Sequence, residues 1–378
     1  KDGRRVYQRG ILFVMTKAFY ELYPDLIIKV EFQLQNSLYC TIDNCKVTDE
    51  MIQNVKKKMQ EIIDKDLEIR KVEMSREEAE KFYDKEKTLR GILQLDNQYK
   101  DEISLYFCED YYNYFYGVMP ISTGYVKNFD IMKYYDGFLV RYPGKQNPEE
   151  VEEYKETKKL LQALKDYNDI YGILNIDTVY KLNKKIREGK EKEIILLAEA
   201  LHEKKISDIA DEIVKRKGIK MVLIAGPSSS GKTTFAKRLG IQLQLNGIKP
   251  VTISVDNYFV EREDTPRDED GKYDFEHINA IDLKLFNDHL TKLLNGEEID
   301  VPTFDFKTGH KNYNGEKMRL NEGEVLVIEG IHCLNDALTA SVPKEQKYKI
   351  YISALTVLNI DNYNRISNKD TRCLQQMT

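Results

Sequence analysis

Cysteine is scarce in this chain and shows no pairing pattern: Cys40, Cys45, Cys108, Cys333 and Cys373 are odd in number, and no two of them stand as CxxC. Disulfide frameworks and zinc sites both need spaced pairs, so this usage argues against each and leaves the thiols as small core residues. Long apolar runs are also missing. No stretch approaches the ~18 residues of a membrane-crossing helix and no signal peptide opens the sequence, so a cytoplasmic protein without a membrane partner is expected. There is no basic excess either. With 58 Lys and Arg against 63 Asp and Glu, the formal charge of -5 argues against a protein that coats nucleic acid. The first residue is Lys1 rather than methionine, and Thr378 falls just after an apparent helix begins, so the chain reads as a fragment or a shortened gene product.

What is present is ample apolar content, 41% over 378 residues, enough for two or three domains with buried cores. Three zones follow. Residues 1–143 combine an amphipathic opening (Leu12, Met15, Ala18, Phe19, Leu22), strand-like alternation and a tyrosine-rich stretch from Tyr106 to Tyr142, the signature of an α+β domain. After a polar break from Gly144 to Pro148, residues 144–217 are dense in Glu, Lys and Leu and read as a helical linker with a solvated face. Residues 218–378 alternate strand and helix: strands at 221–225, 251–255, 324–329 and 348–354, and a helix from Gly231 to Gly247. That order specifies an α/β domain, a parallel sheet covered by helices in three layers.

The strand at 221–225 opens into Gly226-Pro227-Ser228-Ser229-Ser230-Gly231-Lys232-Thr233-Thr234, the spacing GxxxxGK[ST]. Glycines at both ends let the loop curl so that successive N–H groups face one point, and the following helix presents its positive end to the same point. The loop is a phosphate cradle, with Lys232 as a mobile charge and the Thr233 hydroxyl placed for a magnesium ion on the β- and γ-phosphates. In a parallel sheet, ligands gather beyond the carboxyl ends of strands. Asp256 (Ser-Val-Asp-Asn-Tyr-Phe) and Glu329 (Val-Ile-Glu-Gly-Ile-His) stand at two such ends. One carboxylate can accept the proton of an attacking hydroxyl and the other can organise Mg²⁺.

The joint order of GPSSSGKTT, SVDNYF, YDFEH, PTFDF and VIEGIH over about 218–378 resembles the uridine kinase and phosphoribulokinase group of P-loop kinases. The resemblance implies ATP and Mg²⁺ as cofactors, with Asp256 as base and Tyr258 and Phe259 bordering the substrate. It places Phe275 and Glu276 where a Phe-Asp pair shapes the nucleoside pocket and holds ribose hydroxyls; Glu lengthens that acceptor. Phe304 stands at the family's base-reading tyrosine, without its hydroxyl. His310 lies one residue beyond the family's histidine, which falls on Gly309. In the lid segment Arg372 matches a phosphate-binding arginine, while a pair of arginines falls on Gln375 and Gln376.

Residues 4–143 resemble the editing-associated domain of threonyl-tRNA synthetase, through Gln-Arg-Gly-Ile-Leu-Phe-Val-Met-Thr-Lys-Ala-Phe-Tyr-Glu-Leu-Tyr-Pro and Ile-Ser-Thr-Gly124. That domain's HxxxH pair falls on Arg9 and Phe13, and its CxxxH pair on Phe115 and Met119, so the resemblance implies a scaffold without metal or ester-hydrolysing chemistry. The expected whole is a fused ATP-dependent kinase, a homo-oligomer acting on a small molecule, most simply a nucleoside, with a sugar phosphate or pantothenate-like alcohol behind it. A nucleotide-binding regulatory module or pseudokinase is one alternative, favoured by the Gln375-Gln376 pair. RNA binding through the first domain is the other.

Overall fold

The computed structural model describes residues 2–85, 95, 101–353 and 358–366. The chain divides into two compact units, residues 1–194 with 355–370 and residues 195–354 with 371–378.

The first unit is α+β. Helix α1 (Asp2–Leu22) is buried without a break from Gly10 to Phe19. Gly10 permits that depth, since a Cβ there would lie 2.6 Å from the Pro120 ring. The two polar residues of the run are satisfied. Thr16 donates to the Leu12 carbonyl at 3.0 Å, and Lys17 pairs with Glu21 and Glu109 at 2.8 and 3.1 Å. Strands β1 (Ile28–Leu34) and β2 (Ser37–Ile42) form a hairpin, followed by α2 (Asp49–Asp64), whose first turn is capped by the Thr48 hydroxyl accepting from Met51 N–H. Next come β3 (Arg70–Ser75), α3 (Arg76–Lys85), β4 (Glu102–Cys108) and β5 (Tyr111–Asn113), then β6 (Asp130–Tyr134) and β7 (Gly137–Arg141). The strands make two antiparallel sheets, β1-β2-β7-β6 and β3-β4-β5. Beyond Pro148 the Glu- and Lys-rich stretch is helical: α4 (Lys158–Leu174), α5 (Val179–Arg187) and α6 (Glu191–Lys215), of which α6 belongs from Ile195 onward to the second unit.

The second unit is built on a fully parallel sheet of β8 (Met221–Ala225), β9 (Lys249–Ser254), β12 (Glu324–Glu329) and β13 (Lys347–Tyr351), ordered β13-β8-β12-β9. Every residue of β8 is buried, as a central parallel strand requires. Its side chains alternate between two cores. Met221 and Leu223, with Leu326 and Ile328 of β12, join Phe286 and Leu290 of helix α8 (Leu283–Leu294). On the other face Val222 and Ile224 join Ile206, Ala210 and Ile213 of α6 and Leu239 and Leu243 of helix α7 (Lys232–Leu245). Helix, sheet and helix make the three layers that the sequence specifies.

Several elements depart from the sequence reading. Residues 298–319 form an antiparallel hairpin, β10 (Glu298–Asp305) and β11 (His310–Arg319), paired from Glu298 with Arg319 to Asp305 with His310. Almost every residue of β11 is exposed, so it carries no apolar alternation by which to be recognised. The expected strand at 348–354 ends earlier, at Tyr351, and Ala354 lies outside the described residues.

Candidate active site

Three strand ends deliver the site. Glu329, the last residue of β12, is in register with Ile224 of β8 on one side and with Ser254 of β9 on the other, so the three strands stop at one level. From β8 the chain turns at Gly226, where a Cβ would lie 2.2 Å from the Ile352 carbonyl oxygen; no side chain fits. Ser229 (φ 56°) and Gly231 (φ 81°) are both left-handed, and Gly231 leads directly into the first turn of α7. Such a curl at a helix start is an anion-binding concavity. Ser228, Ser229, Gly231, Thr233 and Thr234 are exposed, Pro227 is half-buried, and the Ser230 hydroxyl is enclosed without a hydrogen-bond partner. Lys232 folds across the loop and donates from Nζ to the Pro227 carbonyl at 3.0 Å.

Beside the loop one carboxylate oxygen collects two hydroxyls. Thr233 Oγ1 donates to Glu329 Oε1 at 3.3 Å and Ser254 Oγ donates to the same atom at 3.2 Å. Glu329 is only 8% exposed, and among the described residues no ion pair reaches it. A buried carboxylate balanced by hydroxyls alone, at the mouth of a phosphate-type loop, is a hard-oxygen donor set of the kind that suits Mg²⁺.

Asp256 sits in the short 3₁₀ turn Val255–Tyr258 immediately after β9. Water reaches one side of it, while the surrounding protein crowds the rest. Burial therefore pushes its carboxyl above the ordinary range, and the charges of Lys232 and His332 pull back against that. Lys232 thus belongs electrostatically to both the loop and the carboxylate.

The remaining candidates separate. Phe259, Phe275 and Phe304 converge: the Phe259 ring lies 6.1 Å from Phe275 and 5.5 Å from Phe304, and Phe306 closes the cluster at 5.5 Å from Phe259 and 5.1 Å from Phe304. Tyr258 does not join them. It is fully buried, edge-on to Phe286 at 4.7 Å, with its oxygen 3.1 Å from His289 Nδ1, so it fills the core instead of bordering a substrate surface. Glu276 is exposed, in a turn where its N–H donates to Asp274 Oδ1 at 3.0 Å. His310 Nδ1 lies 2.7 Å from Glu261 Oε2, and this contact draws the Glu261 carboxyl below its usual range. With Glu263 these make the group of three metal-competent side chains found among the described residues, within 4.8 Å and mostly exposed. Arg372, Gln375 and Gln376 lie outside the described residues.

Two further residues of the quoted motifs stand at the same strand ends. Ser254 shares Glu329, and His332 stands three residues past β12 with its Nε2 enclosed and unpartnered. Burial lowers the His332 pKa, His277 adds to this, and Asp256, Glu276 and Asp274 oppose it. Their position just beyond strand ends was the available signal.

In the first unit, Arg9 donates from Nε to the Val118 carbonyl at 2.8 Å. Phe13 packs edge-on against Tyr111 at 5.1 Å and Phe115 at 5.9 Å, within the same core that holds Met119.

Residues 221–371 match the profile of the Phosphoribulokinase / Uridine kinase family. A uridine kinase of Anoxybacillus flavithermus is 36% identical over 121 residues, covering 32% of this chain and 56% of that protein. The uridine kinase of Halobacterium salinarum is 30% identical over 113 residues, covering 30% of this chain and 48% of that protein. The chain thus spans about half the length of these relatives. Among solved structures, a possible uridine kinase from Bacillus stearothermophilus aligns over 39% of this chain and 79% of its own, with 24% identity and a TM-score of 0.33. By the family profile and the uridine kinase relatives, the C-terminal part of the chain carries a uridine kinase/phosphoribulokinase-like P-loop domain. No helix among the described residues is long and apolar enough to cross a membrane.

Proposed function

We propose that residues 218–378 transfer the γ-phosphoryl group of ATP to a hydroxyl of a small metabolite, in first place a nucleoside. The observation that carries this reading is the meeting of the Thr233 and Ser254 hydroxyls on Glu329 beside the loop, with Asp256 at the adjoining strand end. The curled loop from Gly226 to Thr234 holds the phosphates by its amides, and Lys232 moves from the Pro227 carbonyl onto them. Thr233, Glu329 and Asp256 would hold Mg²⁺, Glu329 through water, and the donor set fits a hard cation. When bound, Mg²⁺ neutralises charge on the β- and γ-phosphates. Asp256 accepts the proton of the acceptor hydroxyl, and the lift that burial gives its basicity brings it closer to the value a general base needs. Phe275, half-buried and packed at an angle against the buried Phe259 with Phe304 behind it, would border a nucleobase, while Glu276 would take sugar hydroxyls and Arg372 a phosphate.

The test is ATP consumption, with product identified by mass, across nucleosides, sugar phosphates and pantothenate-like alcohols. Phosphorylated nucleoside supports the proposal. ATP binding without any phosphorylated product would replace it with the regulatory reading.

For the first unit we propose a scaffold resembling the synthetase editing domain without its chemistry. It is supported by Phe13, Phe115 and Met119, at three of the four positions where the resemblance puts the chemistry, packing as apolar side chains in one core.

A further inference from the structure

The aromatic cluster beside Asp256 is assembled from pieces with unequal support. Phe259 is fixed through its neighbours: Val260 N–H donates to the Ala280 carbonyl at 2.9 Å, and Asp282 N–H donates to the Tyr258 carbonyl at 2.8 Å. Phe304 is buried near the end of β10, in the same core as Ile299 and Val301. Phe306 is placed differently. It lies in the turn between β10 and β11 and is 55% exposed, yet its ring meets both Phe259 and Phe304. Because Phe259 and Phe304 are buried, a bound molecule would meet this cluster at the half-buried Phe275 and at Phe306. The setting of the 305–309 turn therefore decides what surface the cluster presents.

Arg262, half-buried at the start of the 3₁₀ turn Arg262–Asp264, is the group that grips this turn. Its Nη2 donates to the Phe306 carbonyl at 2.7 Å and to the Lys307 carbonyl at 3.3 Å, and its main-chain N–H donates to the Gly309 carbonyl at 3.0 Å. The turn is shaped to receive it. Gly309 is left-handed (φ 82°), and a Cβ there would lie 2.6 Å from Arg262 Nε, so the arginine occupies the space of a side chain. Asp305 closes the turn from within, its carbonyl accepting from Gly309 N–H at 2.7 Å and its carboxylate accepting from Lys307 N–H at 2.8 Å.

Base, ring and grip thus follow one another on a single short stretch of chain, as Asp256, Phe259 and Arg262. We propose that Arg262 is a positioning residue for the phosphate acceptor: it seats the 305–309 turn so that Phe306 completes the aromatic border, and it sets acceptor affinity while touching neither ATP nor the reacting atoms. The inference rests on the kinase reading and adds to it a residue outside the phosphate loop, the metal donors and the base. A group that only completes a binding surface favours ground state and transition state alike, so its loss raises KM and leaves kcat.

Steady-state transfer by the full chain to its best nucleoside is measured together with calorimetric affinities for that nucleoside and for ATP. Arg262→Gln should raise the nucleoside KM and dissociation constant about tenfold, with kcat and ATP affinity within about twofold of wild type. Arg262→Lys should recover only part of the loss, since an ammonium lacks the planar fork. Gly309→Ala disturbs the same contact from the other side and should give the same split with the arginine intact. Amide hydrogen exchange over 306–311 should quicken in both Arg262→Gln and Gly309→Ala. Nucleoside and ATP affinity falling together would make Arg262 a support of the fold at large and overturn the proposal. So would an unchanged nucleoside KM in Arg262→Gln, and Gly309→Ala decides the matter alone if that variant does not fold. Wild-type chain that phosphorylates no nucleoside removes the kinase reading and this inference with it; transfer at wild-type KM in both variants removes this inference alone.

Discussion

Replacing Asp256 by Asn separates chemistry from stability at one atom. The change keeps size and most hydrogen bonding but removes the basic oxygen, and general-base catalysis is worth about 10²-fold or more. A loss of ~10²-fold corresponds to about 2.7 kcal/mol of transition-state stabilisation. Stability should move the other way. Burial raises the folded-state pKa of Asp256 above its unfolded value. Between those two values the native state binds more protons than the unfolded one, so stability falls as pH rises through that window and stays lower above it. At neutral pH the ionised carboxylate is therefore a net cost that Asn removes, and the melting temperature of Asp256→Asn should hold or rise. The dependence of transfer rate on pH supplies a second readout. The wild-type rate should climb through a pKa above the ordinary carboxylate range, and Lys232→Ala, which removes the charge pulling that pKa down, should shift the climb to higher pH. The assay is single-turnover transfer from ATP to the best nucleoside, with thermal melts at pH 4 to 8. A wild-type rate in Asp256→Asn would make Asp256 a strand-end turn residue and leave the mechanism without its base.

Three further outcomes are expected. Lys232→Ala should weaken ATP binding by about 1.5 to 3 kcal/mol, the worth of a charge-assisted contact, and equal calorimetric affinities would remove the phosphate-cradle assignment. Glu329→Gln keeps an acceptor for Thr233 and Ser254 but loses the charge, so the Mg²⁺ concentration for half-maximal transfer should rise about 10-fold to 100-fold. An unchanged Mg²⁺ requirement would limit Glu329 to a structural role. Metal analysis of the purified chain should find no stoichiometric zinc; about one zinc per chain, lost on deleting residues 1–143, would restore metal chemistry to the first unit.

The legible parts of this protein are those where backbone need and residue type coincide. Gly226 had to be glycine because the Ile352 carbonyl occupies the space of a Cβ, and the all-apolar β8 announced a central parallel strand. Asp256 and Glu329 could be picked out because a parallel sheet gathers function at its carboxyl ends, a rule of topology and not of sequence distance. The same rule reached Ser254 and His332, but a serine and a histidine there have many uses. Only the shared Glu329 oxygen and the enclosed Nε2 separate these residues from bystanders. Tyr258 is illegible for the converse reason. Adjacent aromatics on a turn meet different neighbours, and sequence alone does not say which: both are buried, but Phe259 packs against Phe275 and Phe304 while Tyr258 packs against Phe286 and His289.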